Sequence, residues 1–135
     1  MRQLSSPRNS DRAIVHVVEP QHLFVPSLVD VFSEAGLTVD AVVERVDPRA
    51  LLDDEPDIVF IDADFVNGPV DAVRLVHYLL PKAQVVVYAG ELQARETRAY
   101  VAAGATVLLP KHLERRSVVL GLREVERRRI ASLRG

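Results

Sequence analysis

The sequence contains no cysteine, which excludes disulfides, thiolate zinc sites and thiol nucleophiles. It has no apolar run approaching the roughly 20 residues that a membrane-spanning helix needs. Neither charge sign dominates, since the formal net charge is −2, so the composition gives no support for a nucleic-acid partner. HExxH, GxGxxG and Walker motifs are also missing, which argues against zinc and nucleotide sites. These absences favour a soluble cytoplasmic domain without a membrane partner.

The length and the hydrophobic content of the chain are typical of one globular domain. The chain has 135 residues, of which 48% are hydrophobic, and this is enough for a single packed core. The first 12 residues are polar, carry no apolar signal core and show no periodicity. We therefore predict a flexible tail over residues 1–12 and one domain over residues 13–131.

Strand and helix patterns alternate along that domain. The predicted strands are residues 14–18, 38–43, 58–61, 85–88 and 106–109. Most are short continuous runs of Val, Ile and Leu, which is typical of parallel strands buried on both faces. The mixed segment TVDAVV at 38–43 is instead predicted at a sheet edge. The predicted helices are residues 23–34, 48–53, 69–80, 92–103 and 115–130. Five such units predict an α/β fold with a five-stranded parallel sheet and helices on both faces.

Charged residues follow several of these strands. In VFIDADFVNG a buried strand ends at Asp62, with Asp64 two residues later; Glu19 follows the first strand and Lys111 the fifth. Because sites in such folds lie beyond the carboxyl ends of the strands, we expect these four side chains on one rim. Three carboxylates there could hold Mg²⁺, and a lysine could balance a phosphate charge. An aspartate beside them could accept a phosphoryl group. Ordinary solvated rim residues remain the alternative.

Three segments carry a family resemblance. PDIVFID (56–62) and AGATVLLPK (103–111), at their separation, together resemble a response-regulator receiver domain over roughly residues 13–130. VVEPQHLF (17–24) resembles the subgroup whose members carry a helix-turn-helix output domain. The resemblance implies the flavodoxin-like receiver fold with strand order 2-1-3-4-5. It also implies a role in two-component signal transduction and transcription regulation, with no enzymatic activity of its own.

The resemblance assigns roles to the rim residues. Asp62 matches the phosphoacceptor, Lys111 the phosphate-contacting lysine, and Glu19 the first of two metal-binding acids. The implied cofactor is Mg²⁺, held by Glu19 and Asp62, with Asp64 as a substitute ligand. The implied partners are a histidine kinase and a second copy of the chain. DNA would be bound only through an output domain, for which the Arg-rich end resembles a linker.

Other positions depart from the family. Pro20 stands where a second acid is usual, Ala89 where a hydroxyl contacts the phosphoryl group, and Leu108 where a switch aromatic is common. A lost hydrogen bond to a charged group costs roughly 1.5–3 kcal/mol, so Ala89 weakens phosphoryl binding tenfold or more. We therefore expect an atypical receiver with a degraded phosphorylation pocket that acts through dimerisation. The predicted dimer surface comprises residues 94–100, 106–109 and 118–127, and pairing through the first and fifth helices is the alternative.

Two other functions fit parts of the sequence. One is a phosphorylation-independent pseudo-receiver that binds a ligand or a protein partner. A remoter one is a DxD-type phosphatase, suggested by IDADF, although such enzymes place that motif near the chain start. The arginines near the C-terminus are interspersed with Glu114, Glu124 and Glu126, which favours a solvated helix face over DNA contact.

Overall fold

The structure, a computed structural model, describes residues 12–134, so the predicted tail lies outside the described residues except for Arg12. The strands are β1 (Val15–Val18), β2 (Val39–Val43), β3 (Ile58–Asp62), β4 (Gln84–Ala89) and β5 (Val107–Pro110). The helices are α1 (Val25–Glu34), α2 (Pro48–Asp54), α3 (Pro69–Leu79), α4 (Ala94–Ala103) and α5 (Arg115–Arg134). None of the helices within residues 12–134 is long and apolar enough to cross a membrane.

The strands form one parallel sheet in the order β2-β1-β3-β4-β5. This confirms the predicted fold class and strand order. Each predicted strand is confirmed to within one residue at either end. β2 lies at an edge, as its mixed pattern indicates, and its residues alternate between partly buried and exposed. The central strand β3 is buried along its whole length.

Side chains alternate between two hydrophobic cores, one on each face of the sheet. The α1/α5 core packs the strands against α1 and α5, and its strand residues are Val15, Val17, Ile58, Phe60, Val86 and Leu109. The α2/α3/α4 core covers the other face, and its strand residues are Val18, Val59, Ile61, Val85, Val87 and Ala89. The rings of Phe32 and Phe60 meet edge to face at 5.2 Å in the α1/α5 core.

Three helix ends differ from the prediction by two or more residues, and one of them is the start of α4, which begins at Ala94 rather than at residue 92, after a cap formed by Gln93 and Glu96. The predicted first helix begins at residue 23, but residues His22–Phe24 form a 3-10 turn and α1 begins at Val25. α5 continues to Arg134 rather than ending at residue 130. No proline or glycine interrupts it there, and Glu124 pairs with Arg127 and Arg128, one turn further along. Such i,i+3 and i,i+4 pairs support a solvated helix face.

Gly104 is required for both its backbone conformation and its lack of a side chain. It ends α4 with φ +115°, and a Cβ there would lie 2.4 Å from Cγ of His77 on α3. We expect Gly104→Ala to lower the free energy of unfolding by about 2–3 kcal/mol, through backbone strain and overpacking. Urea denaturation measures this loss.

Gly36 supplies a matched control for Gly104. Its φ is +83°, but a Cβ there would meet nothing within 4 Å. Gly36→Ala therefore introduces strain without a clash and should cost only about 1 kcal/mol. Equal losses in the two variants would show that the contact between His77 and Gly104 does not constrain the fold.

Candidate functional site

The alternation of the strands brings the predicted rim residues together. Glu19 follows β1, Asp62 ends β3 and Lys111 follows β5, each two residues after a side chain of the α1/α5 core. All three therefore point to the same side of the sheet at its carboxyl edge. Glu19 is 2% exposed and Asp62 is fully buried. The predicted gathering of Glu19, Asp62, Asp64 and Lys111 is the arrangement that the structure shows.

Lys111 bridges two carboxylates. Its Nζ lies 2.7 Å from Oδ1 of Asp62 and 3.0 Å from Oδ2 of Asp64. Burial alone would lower the pKa of Lys111, but its hydrogen bonds to these two carboxylates and their negative charges raise it above its usual value. The lysine is therefore a fixed positive charge at the centre of the site.

Asp64 is held by the loop that follows β4. The N–H of Gly90 donates to both of its carboxylate oxygens, at 2.9 Å to Oδ2 and 3.2 Å to Oδ1. The N–H of Asp64 itself donates to Oδ1 of Asp62 at 3.2 Å. Asp64 thus connects the loops after β3 and β4, and its carboxylate faces Gly90 and Lys111.

Glu19 and Asp62 form a buried carboxyl pair. Oε2 of Glu19 accepts the N–H of Gln21 at 3.1 Å, whereas Oε1 of Glu19 and Oδ2 of Asp62 are buried without a hydrogen-bond partner. Burial and, after it, the neighbouring carboxyl of Asp62 raise the pKa of Glu19 from 4.5 to about 7. Such a pair is stable when the two carboxyl groups share one proton.

The geometry of the carboxylates bears on the predicted Mg²⁺ site. The part of the chain that the structure describes contains no group of three or more His, Cys, Asp or Glu side chains placed to hold a metal ion. The carboxylate of Asp64 is occupied by Gly90 and Lys111, and Pro20 offers no carboxylate. The three carboxylates as arranged do not fit a shared Mg²⁺ ion, and Mg²⁺ binding stays a prediction.

Aromatic side chains cover the lysine, a feature that the sequence reasoning missed. Nζ of Lys111 lies 4.8 Å from the ring centre of Phe65 and 5.3 Å from that of Tyr88, both within cation–π range. Phe24 contacts Phe65 with ring centres 5.7 Å apart. Phe24 and Phe65 follow β1 and β3, which are adjacent in the sheet. The sequence could have predicted their contact from this adjacency. A cavity of about 350 Å³ lies among these rings, Ser27 and Leu28.

The positions that depart from the family pattern belong to the walls of the site. Ala89 is 4% exposed and packs in the α2/α3/α4 core, while its carbonyl accepts the N–H of Lys111 at 2.7 Å. Leu108 is partly buried against the same core. Neither side chain offers a hydrogen bond to a ligand on Asp62.

Solved structures share this fold. No protein-family model and no curated protein matches the chain. A CheY-like response regulator receiver domain protein from Methanospirillum hungatei has a TM-score of 0.76 at 14% identity, covering 90% of this chain and 98% of that one. A LuxR-family two-component response regulator from an Aurantimonas species has a TM-score of 0.75 at 18% identity, covering 86% of both chains.

A third similar structure has a different description. It is a putative pilus assembly-related protein from Burkholderia pseudomallei, with a TM-score of 0.74 at 19% identity over 90% of this chain and 94% of that one. At these identities the likeness shows the fold, which is that of response-regulator receiver domains, and leaves the function to the site.

Proposed function

We propose that this domain is an atypical receiver, the signal-receiving module of a transcription regulator, which acts by self-association rather than as an enzyme. The observation that carries the proposal is the buried Asp62, 2.7 Å from Nζ of Lys111, at the carboxyl edge of a receiver-type sheet. In this role Asp62 is the candidate phosphoacceptor, and a histidine kinase is the phosphodonor expected for it.

The geometry around Asp62 supports weak phosphorylation. A phosphoryl group carries a charge of about −1.5 to −2 and three acceptor oxygens. Neither Ala89 nor Pro20 has a side-chain hydroxyl that could bind this group. Pro20 also lacks a backbone N–H. Lys111 is already shared by two carboxylates. Each missing donor weakens the binding of a phosphorylated or phosphate-like group, so regulation by assembly rather than by phosphorylation fits this site better.

Exposed apolar side chains on α4 and α5 support self-association. Val101 on α4 is 56% exposed and Leu120 on α5 is 52% exposed. Tyr100 and Val118, which belong to the predicted dimer surface, are instead buried in the two cores. The proposed dimer surface therefore differs from the predicted one, and its apolar contacts are Leu120, which lies within the predicted surface, and Val101, which lies one residue beyond it.

Sedimentation velocity at micromolar concentration tests the assembly. We expect the wild-type chain to dimerise and Leu120→Glu to weaken the dimer at least about tenfold, because the variant places a charge in an apolar contact. Leu52→Glu is the matched control, since Leu52 on α2 is also 52% exposed, and it should leave the dimer intact. A wild-type chain that stays monomeric with and without fluoroberyllate, a phosphoryl mimic, would contradict the proposal.

The cavity among the aromatic rings favours a second candidate function. At about 350 Å³ its volume lies at the lower end of small-molecule sites. Its walls combine the Phe24 and Phe65 rings with Lys111. A phosphorylation-independent pseudo-receiver that binds a small molecule there would respond to the ligand without any change at Asp62.

A further inference from the structure

The geometry assigns a role to Asp64: we propose that its carboxylate is an internal anion that fills the place of a phosphoryl group on Asp62. We call the two donors that hold it, Nζ of Lys111 and the N–H of Gly90, the anion seat. The inference rests on the proposed receiver function. Beyond that function, the inference states that the anion seat is filled by the carboxylate of Asp64 when Asp62 is not phosphorylated.

The seat is built from one charged donor and one backbone donor. Nζ of Lys111 is 3.0 Å from Oδ2 of Asp64, and the N–H of Gly90 is 2.9 Å from the same oxygen. An ammonium and a backbone N–H that converge on one oxygen form a charge-assisted oxyanion site. Gly90 also permits the close approach, since a Cβ there would lie 3.1 Å from Oδ2 of Asp64.

A phosphoryl group on Asp62 would compete for the same donors. Oδ1 of Asp62 already accepts from Lys111 and from the N–H of Asp64. Beside Asp62, the hydrogen-bond donors left for a phosphoryl group among the described residues are therefore the two of the anion seat. Asp64 already accepts from both of them. A dianion next to the Asp64 carboxylate would also be repelled by it. The phosphoryl group can enter only if Asp64 leaves.

Asp64 is placed so that it can leave. It lies beyond the end of β3, and its side chain is 39% exposed, whereas that of Asp62 is fully buried. A substitution of Asp64 therefore empties the seat without opening a cavity in either core. Asp64→Ala removes the internal anion, and Asp64→Asn keeps an acceptor for Gly90 while it removes the charge.

Fluoroberyllate titration followed by NMR, in the presence of Mg²⁺, tests the inference. We expect Asp64→Ala to bind fluoroberyllate at least about tenfold more tightly than the wild type, and Asp64→Asn to lie between the two. The Gly90 amide resonance should move in free Asp64→Ala and return toward its wild-type position when fluoroberyllate binds. Asp71→Ala is the matched control: Asp71 is an exposed carboxylate on α3 whose side chain is 83% exposed, and its loss should leave the affinity unchanged.

Two outcomes would overturn the inference. One is a folded Asp64→Ala or Asp64→Asn variant that binds fluoroberyllate no better than the wild type. The other is a Gly90 resonance that is unchanged in both variants. Sedimentation velocity distinguishes a failure of the internal-anion inference from a failure of the proposed self-association. A wild-type dimer with no gain in Asp64→Ala contradicts the internal anion alone, whereas a monomeric wild type with a clear gain in Asp64→Ala contradicts self-association alone.

Discussion

Replacement of Lys111 by methionine should lower the free energy of unfolding by about 3–5 kcal/mol, the usual cost of removing one partner from a buried ion pair. Asp62 is fully buried and its Oδ1 lies 2.7 Å from Nζ of Lys111. Methionine keeps the apolar stem but removes the ammonium. The Asp62 carboxylate would then keep the N–H of Asp64 and the proton that it shares with Glu19, but no cation would contact it among the described residues.

Two further variants make the Lys111 result specific. Lys111→Met combined with Asp62→Asn should recover most of the lost stability, because the neutral amide no longer needs a buried cation. Lys82→Met, at an exposed position, should stay within about 0.5 kcal/mol of the wild type. Urea denaturation measures all four proteins. If Lys111→Met lost no more stability than Lys82→Met, the ion pair would not be formed in solution.

The fold was predictable because its signals are local and repeated. Most strands are short runs rich in Val, Ile and Leu, and the first four helices have a proline or glycine near an end, so most elements follow from local composition and from these helix-ending residues. The rim followed from topology, since residues after parallel strands share one edge. Asp62 and Lys111 therefore could be placed together although 49 positions separate them along the chain.

The arrangement within the rim was less predictable. From the sequence, Asp64 could serve as a metal ligand, because its loop continues from Asp62. The structure instead directs its carboxylate to Gly90 and Lys111. This choice depends on ångström-scale positions of two loops that belong to different strands, which no periodicity encodes. The contact between Phe24 and Phe65 has the same origin.

The balance of charges among the carboxylates and the lysine at the site determines which carboxyl group keeps a proton. Three carboxylates, those of Glu19, Asp62 and Asp64, surround one ammonium, that of Lys111. Asp62 and Asp64 each contact the ammonium directly. The contact that the described residues show for Glu19 is instead the N–H of Gln21, and its other oxygen is buried without a partner. Glu19 therefore holds its proton to a higher pH than an ordinary glutamate does.

Glu19→Gln should raise the free energy of unfolding by about 3 kcal/mol above pH 7, because the pKa of Glu19 is raised from 4.5 to about 7 in the folded state and each pKa unit is worth about 1.4 kcal/mol. The folded state keeps this proton at pH values where the unfolded state has lost it. The stabilisation is thus fully present below pH 4.5, and it is lost as the pH rises toward 7. Glutamine cannot ionise, so the variant does not suffer this loss.

Urea denaturation from pH 4.5 to 8.5, in EDTA to remove divalent cations, measures the difference between the two proteins. The wild type and Glu19→Gln should have similar stability at the acid end, and the gap should widen through the interval and level off above pH 7. Lys82→Met, which leaves the site intact, should follow the wild-type profile. A constant gap at every pH would mean that Glu19 ionises in the folded state as freely as in the unfolded chain. The carboxyl pair with Asp62 would then share no proton, and the two buried oxygens would have to be satisfied in some other way.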